Sequence, residues 1–211
     1  MREVAKGEIP PESVQRMVQG IPFFNEILRT DAPQIDAIMT RSRLLHADPG
    51  DVVIRRGDTD THLYFLLKGQ LDVLAGEPGS SIINTISPGQ PFGTLAMLRG
   101  MPRSATLVAD PKGRAAVLLA IDYNLFRDVD DSSIFTLATR LAFYRTVVND
   151  IRWTLEMNKK NDPGHALVAA MRKLPLFTGG RGTREELVSL REQANGLAEL
   201  LCAWNESGPR R

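Results

Sequence analysis

A chain of 211 residues suits one domain with a sizeable appendage or two small ones, and 43% hydrophobic with 24% charged residues is ordinary for a soluble protein. A formal charge of +1 excludes whole-surface attraction to nucleic acid or anionic membrane. Cys202 is the single cysteine, so an internal disulfide is excluded; with no basic start before an apolar run and no stretch of membrane-spanning length, a cytoplasmic setting is expected.

Residues 1–40 read as a helical lead. Pro10-Pro11-Glu12 opens a helix carrying Val14, Met17 and Val18 at helical spacing. Ile21-Pro22-Phe23-Phe24 interrupts it as an apolar knot, and Ala32 to Met39 resumes it. From Arg43 to Ile121 short apolar runs alternate with glycine turns. The strand candidates are Leu44-Leu45, Val52–Ile54, Leu63–Leu67, Leu71–Leu74, Ile82–Ile86, Thr106–Val108 and Ala115–Leu119. Turn signals at this density predict an all-β sandwich or barrel over residues 41–125.

Residues 126–161 then read as one long helix. Ile134, Leu137, Leu141, Tyr144, Val148, Ile151 and Leu155 fall at alternating three- and four-residue steps. Two readings stay open: a coiled-coil seam, or an apolar stripe laid on the β domain. Asp130-Asp131 is the expected cap at its start. Residues 162–211 form a helical extension, with Asp162-Pro163-Gly164 as the break and Thr183 as the cap of a last helix. Met171 to Phe177 echoes Val18 to Phe24, either a vestigial repeat or coincidence.

The stretch richest in chemistry is Phe92-Gly93-Thr94-Leu95-Ala96-Met97-Leu98-Arg99-Gly100-Met101-Pro102-Arg103-Ser104-Ala105-Thr106-Leu107. A glycine turn leads into a short apolar helical turn, then a proline-braced arginine with a following hydroxyl. Amides at such a turn can face an anion, and a guanidinium can close over it with paired hydrogen bonds. This segment resembles the phosphate-binding cassette of cyclic nucleotide-binding domains, as found in catabolite-activator-type regulators, kinase regulatory subunits and gated channels. Pro49-Gly50-Asp51, Gly57-Asp58 and Lys68-Gly69-Gln70-Leu71 match that family's loop punctuation, so the resemblance extends over roughly residues 20 to 160.

The resemblance implies an α+β fold: a double-stranded β-helix, or β-roll, with flanking helices and a long C-terminal helix. It implies a ligand site of Phe92, Gly93, Thr94, Leu95, Ala96, Arg103, Ser104 and Ala105, with cyclic AMP or cyclic GMP as the candidate ligand. Asn149 and Asp150 are the implied base contacts. The long helix is the implied homodimer interface, through Leu137, Leu141, Tyr144, Val148, Ile151 and Leu155. One position departs from the pattern. Thr94 stands where the family has a carboxylate for the ribose hydroxyl, so weak binding, a different phosphate ligand or no ligand are all open.

Catalytic motifs are missing. His46, His62 and His165 are scattered, no metal-ligand spacing occurs, and neither a nucleophile elbow nor a Walker loop is present. Asp58, Asp60 and His62 read as a solvated polar tip of a turn. Many bacterial members of that family carry a DNA-binding helix-turn-helix after the long helix, and here the candidate for one is Thr183 to Glu206. Two arginines against five glutamates give that segment −3, the wrong sign for phosphates, and Pro209-Arg210-Arg211 adds too little. The expectation is a non-enzymatic sensor or regulator, with a protein partner through the tail. A transcription regulator with an atypical tail and a ligand-free structural β-roll are the alternatives.

Overall fold

The computed structural model describes residues 1–5 and 7–207. The chain divides into two compact units, residues 1–123 and the remainder from residue 124.

The first unit is the β-roll with its helical lead. β2 (Arg43–Ala47), β9 (Ala116–Asp122) and β4 (His62–Lys68) are the long neighbouring strands of one antiparallel sheet, and β1 (Arg2–Glu3) and β7 (Pro91–Phe92) are its edges. A second antiparallel sheet runs β3 (Val52–Ile54), β8 (Thr106–Ala109), β5 (Leu71–Leu74), β6 (Ile82–Ile86). β4 and β9 are apolar almost continuously because they are buried on both faces, unlike strands that alternate toward water. Leu45, Leu66, Leu71, Ile86, Leu107 and Leu118 meet in the core between the sheets. The β4–β5 turn depends on Gly69: its φ is +86°, and a Cβ there would sit 2.8 Å from the Ala116 Cα.

The helical lead consists of α1 (Pro11–Val18), α2 (Pro22–Asp31) and α3 (Gln34–Arg41). Pro22 is therefore a helix start and not an interruption, since its missing N–H costs nothing at the first position. It delivers Phe23 and Phe24 into the core, where Phe23 stacks on Phe65 at 5.4 Å.

The second unit contains α5 (Asn124–Arg127), α6 (Leu137–Asn161), α7 (Val168–Met171) and α8 (Arg184–Ser207). The cap of α6 is Thr136, whose Oγ1 accepts from the Thr139 N–H at 3.3 Å. This corrects the expectation for Asp130-Asp131: Asp130 pairs with Arg184, and Asp131 accepts from the Ser133 N–H inside the preceding turn. Phe126 lies between Phe135 and Phe143, with centroids 4.5 and 4.0 Å away. The expected cap of α8 is present, with Thr183 Oγ1 accepting from the Glu186 N–H at 3.2 Å and the Glu186 carboxylate accepting from the Gly182 N–H at 2.6 Å.

α6 and α8 pack along each other in parallel. Their contacts advance together: Asp130 with Arg184, Arg145 with Glu186, Arg152 with Gln193, His165 with Trp204. Leu141, Tyr144, Val148, Ile151 and Leu155 are buried within the single chain, and Leu137 is half-buried. A two-chain seam through these residues would have to displace α8. Thr183 to Glu206 contains no second helix, because α8 runs unbroken through Gly196. The echo of Val18–Phe24 is not repeated in structure either, since Leu176 is exposed where Phe23 is buried. Pro209, Arg210 and Arg211 lie outside the described residues. Among those described, no helix is long and apolar enough to cross a membrane.

Candidate phosphate-binding site

β7 pairs with β4 so that Phe92 lies opposite Tyr64, and the two rings stack at 5.2 Å. The chain then turns at Gly93, whose φ is +86°, into α4 (Thr94–Arg99). Gly100 ends this short helix in the left-handed region, and the Met101 N–H returns to the Ala96 carbonyl at 3.1 Å. The Met97 N–H is the first to bond within the helix, to the Gly93 carbonyl at 3.1 Å, so the Leu95 and Ala96 amides are not used inside it. Arg103 is pinned through its backbone. Its N–H donates to the Asp58 carbonyl, its own carbonyl accepts from the Gly57 N–H, and both bonds are 2.8 Å.

The Arg103 side chain does not reach open water; the residue is 4% exposed. Its Nε donates to Asp60 Oδ2 at 3.1 Å and its Nη2 donates to Asp60 Oδ1. Nη2 also donates to the His62 carbonyl and Nη1 to the Gly93 carbonyl, each at 2.8 Å. The guanidinium carbon lies 5.3 Å from the Tyr64 ring centroid. Four of the five N–H groups thus have partners within the described residues, and one on Nη1 does not. Gly93 is required by this arrangement, because a Cβ would fall 2.2 Å from Nη1.

Asp60 is the site residue that sequence reasoning missed. It is not the solvated tip of a turn: its side chain is 25% exposed, and it also accepts from the His62 N–H at 2.8 Å. Burial raises its pKa, but hydrogen bonds from His62 and Arg103 outweigh that and hold the carboxyl well below the usual range. Burial, reinforced by the Asp60 charge, pushes the Tyr64 hydroxyl up to about 12. The signal that could have found Asp60 is chemical. A charge buried inside a barrel is costly without a partner, and the acids beside β4 were the nearest candidates.

The remaining residues of the expected site divide into two groups. Phe92, Thr94 and Ala96 are buried, Gly93, Leu95 and Ala105 are half-buried, and Ser104 is exposed with its hydroxyl uncommitted among the described residues. All of them lie with Arg103 in the first unit, and Gly93 touches its guanidinium. Asn149 is exposed and Asp150 half-buried on α6. No group of three or more His, Cys, Asp or Glu among the described residues could hold a metal. The expected two-pronged clamp is therefore modified. Asp60 already occupies the Nε–Nη2 fork, and of this guanidinium only the outer Nη1 N–H is left without a partner among the described residues.

Residues 44–132 match the family model of the cyclic nucleotide-binding domain. The type II regulatory subunit of cAMP-dependent protein kinase of Drosophila melanogaster is 30% identical over 135 residues, covering 64% of this chain and 32% of the relative. Acetyltransferase Pat of Mycolicibacterium smegmatis is 38% identical over 76 residues, 36% of this chain and 23% of the relative. The chain thus spans a third or less of either. A crystal structure of a cyclic nucleotide-binding domain from Methylobacillus flagellatus shares the fold with a TM-score of 0.54, at 16% identity over 66% of this chain and 82% of that one.

Proposed function

We propose that this chain is a non-catalytic sensor that binds a cyclic nucleotide, cyclic AMP or cyclic GMP, or a related phosphate ligand, with low affinity. The observation that carries the reading is the buried Arg103, held by Asp60 and two carbonyls beside the first turn of α4. Such a guanidinium is set in place before the ligand arrives, so little side-chain entropy is lost on binding.

Two features argue for weakness. Thr94 can offer a ribose hydroxyl only a neutral hydrogen bond where the family has a charge-assisted one. That difference of roughly 1.5–3 kcal/mol corresponds to about 10- to 100-fold in affinity. Asp60 also neutralises most of the Arg103 charge that a phosphate would meet. The expected result of calorimetric titration is a dissociation constant for cyclic AMP weaker than micromolar, tightened by Thr94→Glu. Nanomolar binding by the unaltered chain would refute the low-affinity reading. No saturation by any cyclic nucleotide or related phosphate ligand, with or without Thr94→Glu, would leave only a structural β-roll.

The helical extension is the proposed contact for a protein partner in a cytoplasmic setting. A DNA-binding role is the second reading, and the unbroken α8 with its net acidic character speaks against it. An electrophoretic shift that survives moderate salt would reverse that preference.

A further inference from the structure

We infer that α8 is a built-in partner for the α6 seam, a coiled-coil strand supplied in cis, and that this leaves the chain monomeric. Both helices carry a complete heptad pattern. On α6, Leu141, Val148 and Leu155 take the a positions, and Tyr144 and Ile151 the d positions. On α8, Leu187, Ala194 and Leu201 are a, and Leu190, Leu197 and Trp204 are d; all are buried.

The register follows from the flanking polar pairs. Arg145 Nη2 reaches Glu186 Oε1 at 2.7 Å and Arg152 Nη2 reaches Gln193 Oε1 at 3.4 Å, and each pair is 41 residues apart in sequence. A constant difference means parallel helices; an antiparallel pair would keep a constant sum. Arg145 and Arg152 are e positions, and Glu186 and Gln193 are g positions, which is the pairing that fixes partner choice in parallel coiled coils. In that register Leu141 is level with Leu187, Val148 with Ala194 and Leu155 with Leu201.

The same charges select α8 over a second α6. In a parallel α6 homodimer the g positions facing Arg145 and Arg152 would be Arg140 and Val147. Neither offers an acceptor, since Arg140 is a buried cation that donates to the Phe135 and Asp128 carbonyls and Val147 is apolar, whereas α8 supplies a carboxylate and an amide oxygen. The ends are fastened too. His165 stacks on Trp204 at 3.9 Å beyond the C-terminus of α6, and Arg184 pairs with Asp130 before its N-terminus. The occupant of the seam is thus specified by hydrophobic register, flanking charge and both termini.

The test uses the full chain. Sedimentation equilibrium over a hundredfold range of concentration should return the 23.3 kDa monomer throughout. A species of twice that mass overturns the inference. In a Cys202→Ser background, Val148→Cys with Ala194→Cys should oxidise to an intramolecular disulfide that runs as a monomer on a non-reducing gel. An interchain dimer, or two thiols that stay free, overturns the cis register. Glu186→Arg should lower the unfolding midpoint, and adding Arg145→Glu should recover the part of the loss that belongs to the ion pair, leaving the part due to the lost Gly182 N–H bond. A double variant no more stable than the single one overturns the charge selection.

Discussion

A guanidinium at 4% exposure is costly to bury without a counter-charge, and Asp60 provides one through both of its oxygens. Removing the carboxylate leaves the Arg103 charge on two carbonyls alone. Breaking a buried pair costs about 3–5 kcal/mol, and the quarter exposure of the Asp60 side chain discounts this. Asp60→Ala is accordingly expected to lower urea-measured stability by roughly 2–3 kcal/mol. The pH dependence has a definite sign. The folded-state pKa of Asp60 is depressed, so the stability it contributes is present above its unfolded value of about 3.9 and is lost as pH falls toward the folded value. The wild type should therefore lose stability below about pH 4 more steeply than Asp60→Asn, which has no carboxyl there to protonate; parallel acid-unfolding curves would show that the pair is not a linkage site. Gly93→Ala tests the other side of the guanidinium. A Cβ 2.2 Å from Nη1 at a φ of +86° must push Arg103 off the Gly93 carbonyl. The expected outcome is a loss of about 1–3 kcal/mol together with loss of ligand-induced stabilisation, measured by thermal unfolding with and without cyclic AMP.

At the scale of elements, glycine in the middle of α8 offers a case where two effects oppose each other. Gly196 costs a helix interior about 1 kcal/mol relative to alanine. A Cβ there would lie 2.8 Å from Leu174 Cδ2, which is the far end of a flexible side chain and can swing aside. Gly196→Ala is therefore expected to be neutral to mildly stabilising, by up to about 1 kcal/mol in chemical denaturation. A loss greater than that would mean Leu174 is wedged. The elements that could be read from the sequence were those with a clear apolar run or strong punctuation: the β2, β3, β4, β5, β6, β8 and β9 runs, the cassette turn at Phe92-Gly93, the start of α1 and the Thr183 cap. β1 and β7 have two residues each, too few to carry a period, and they exist because β2 and β4 present free edges. α2 was hidden by Pro22, which reads as a breaker until its position at a helix start is known. In the site, Arg103 and Gly93 were visible as a motif. Asp60 was not, because a polar residue in a turn looks solvated unless its partner is known to be inside. The partner of the α6 seam was invisible for a similar reason: a heptad pattern predicts that a helix is needed and does not say which chain supplies it.

For the whole molecule, a sensor requires that an event in one unit be felt in the other. The β-roll and the helical unit have separate cores, around Leu66, Leu71 and Leu118 in one and Phe126, Phe135 and Phe143 in the other. A ligand that binds only the folded first unit stabilises it by mass action, about 1.4 kcal/mol when its concentration is ten times the dissociation constant. Amides in β4, β7, α4 and β8 that exchange through opening of that unit should then slow by about tenfold. Mass action on the first unit alone leaves α6 and α8 unchanged, so slower or faster exchange there measures the coupling free energy directly. The sensor reading expects α6 amides to shift on adding cyclic AMP, and Arg103→Lys to abolish both effects, because lysine cannot engage Asp60 and an anion with a planar fork. Protection confined to residues 1–123 would mean a domain that binds ligand without relaying it, and the proposed partner contact in the helical extension would then have no reason to respond to occupancy.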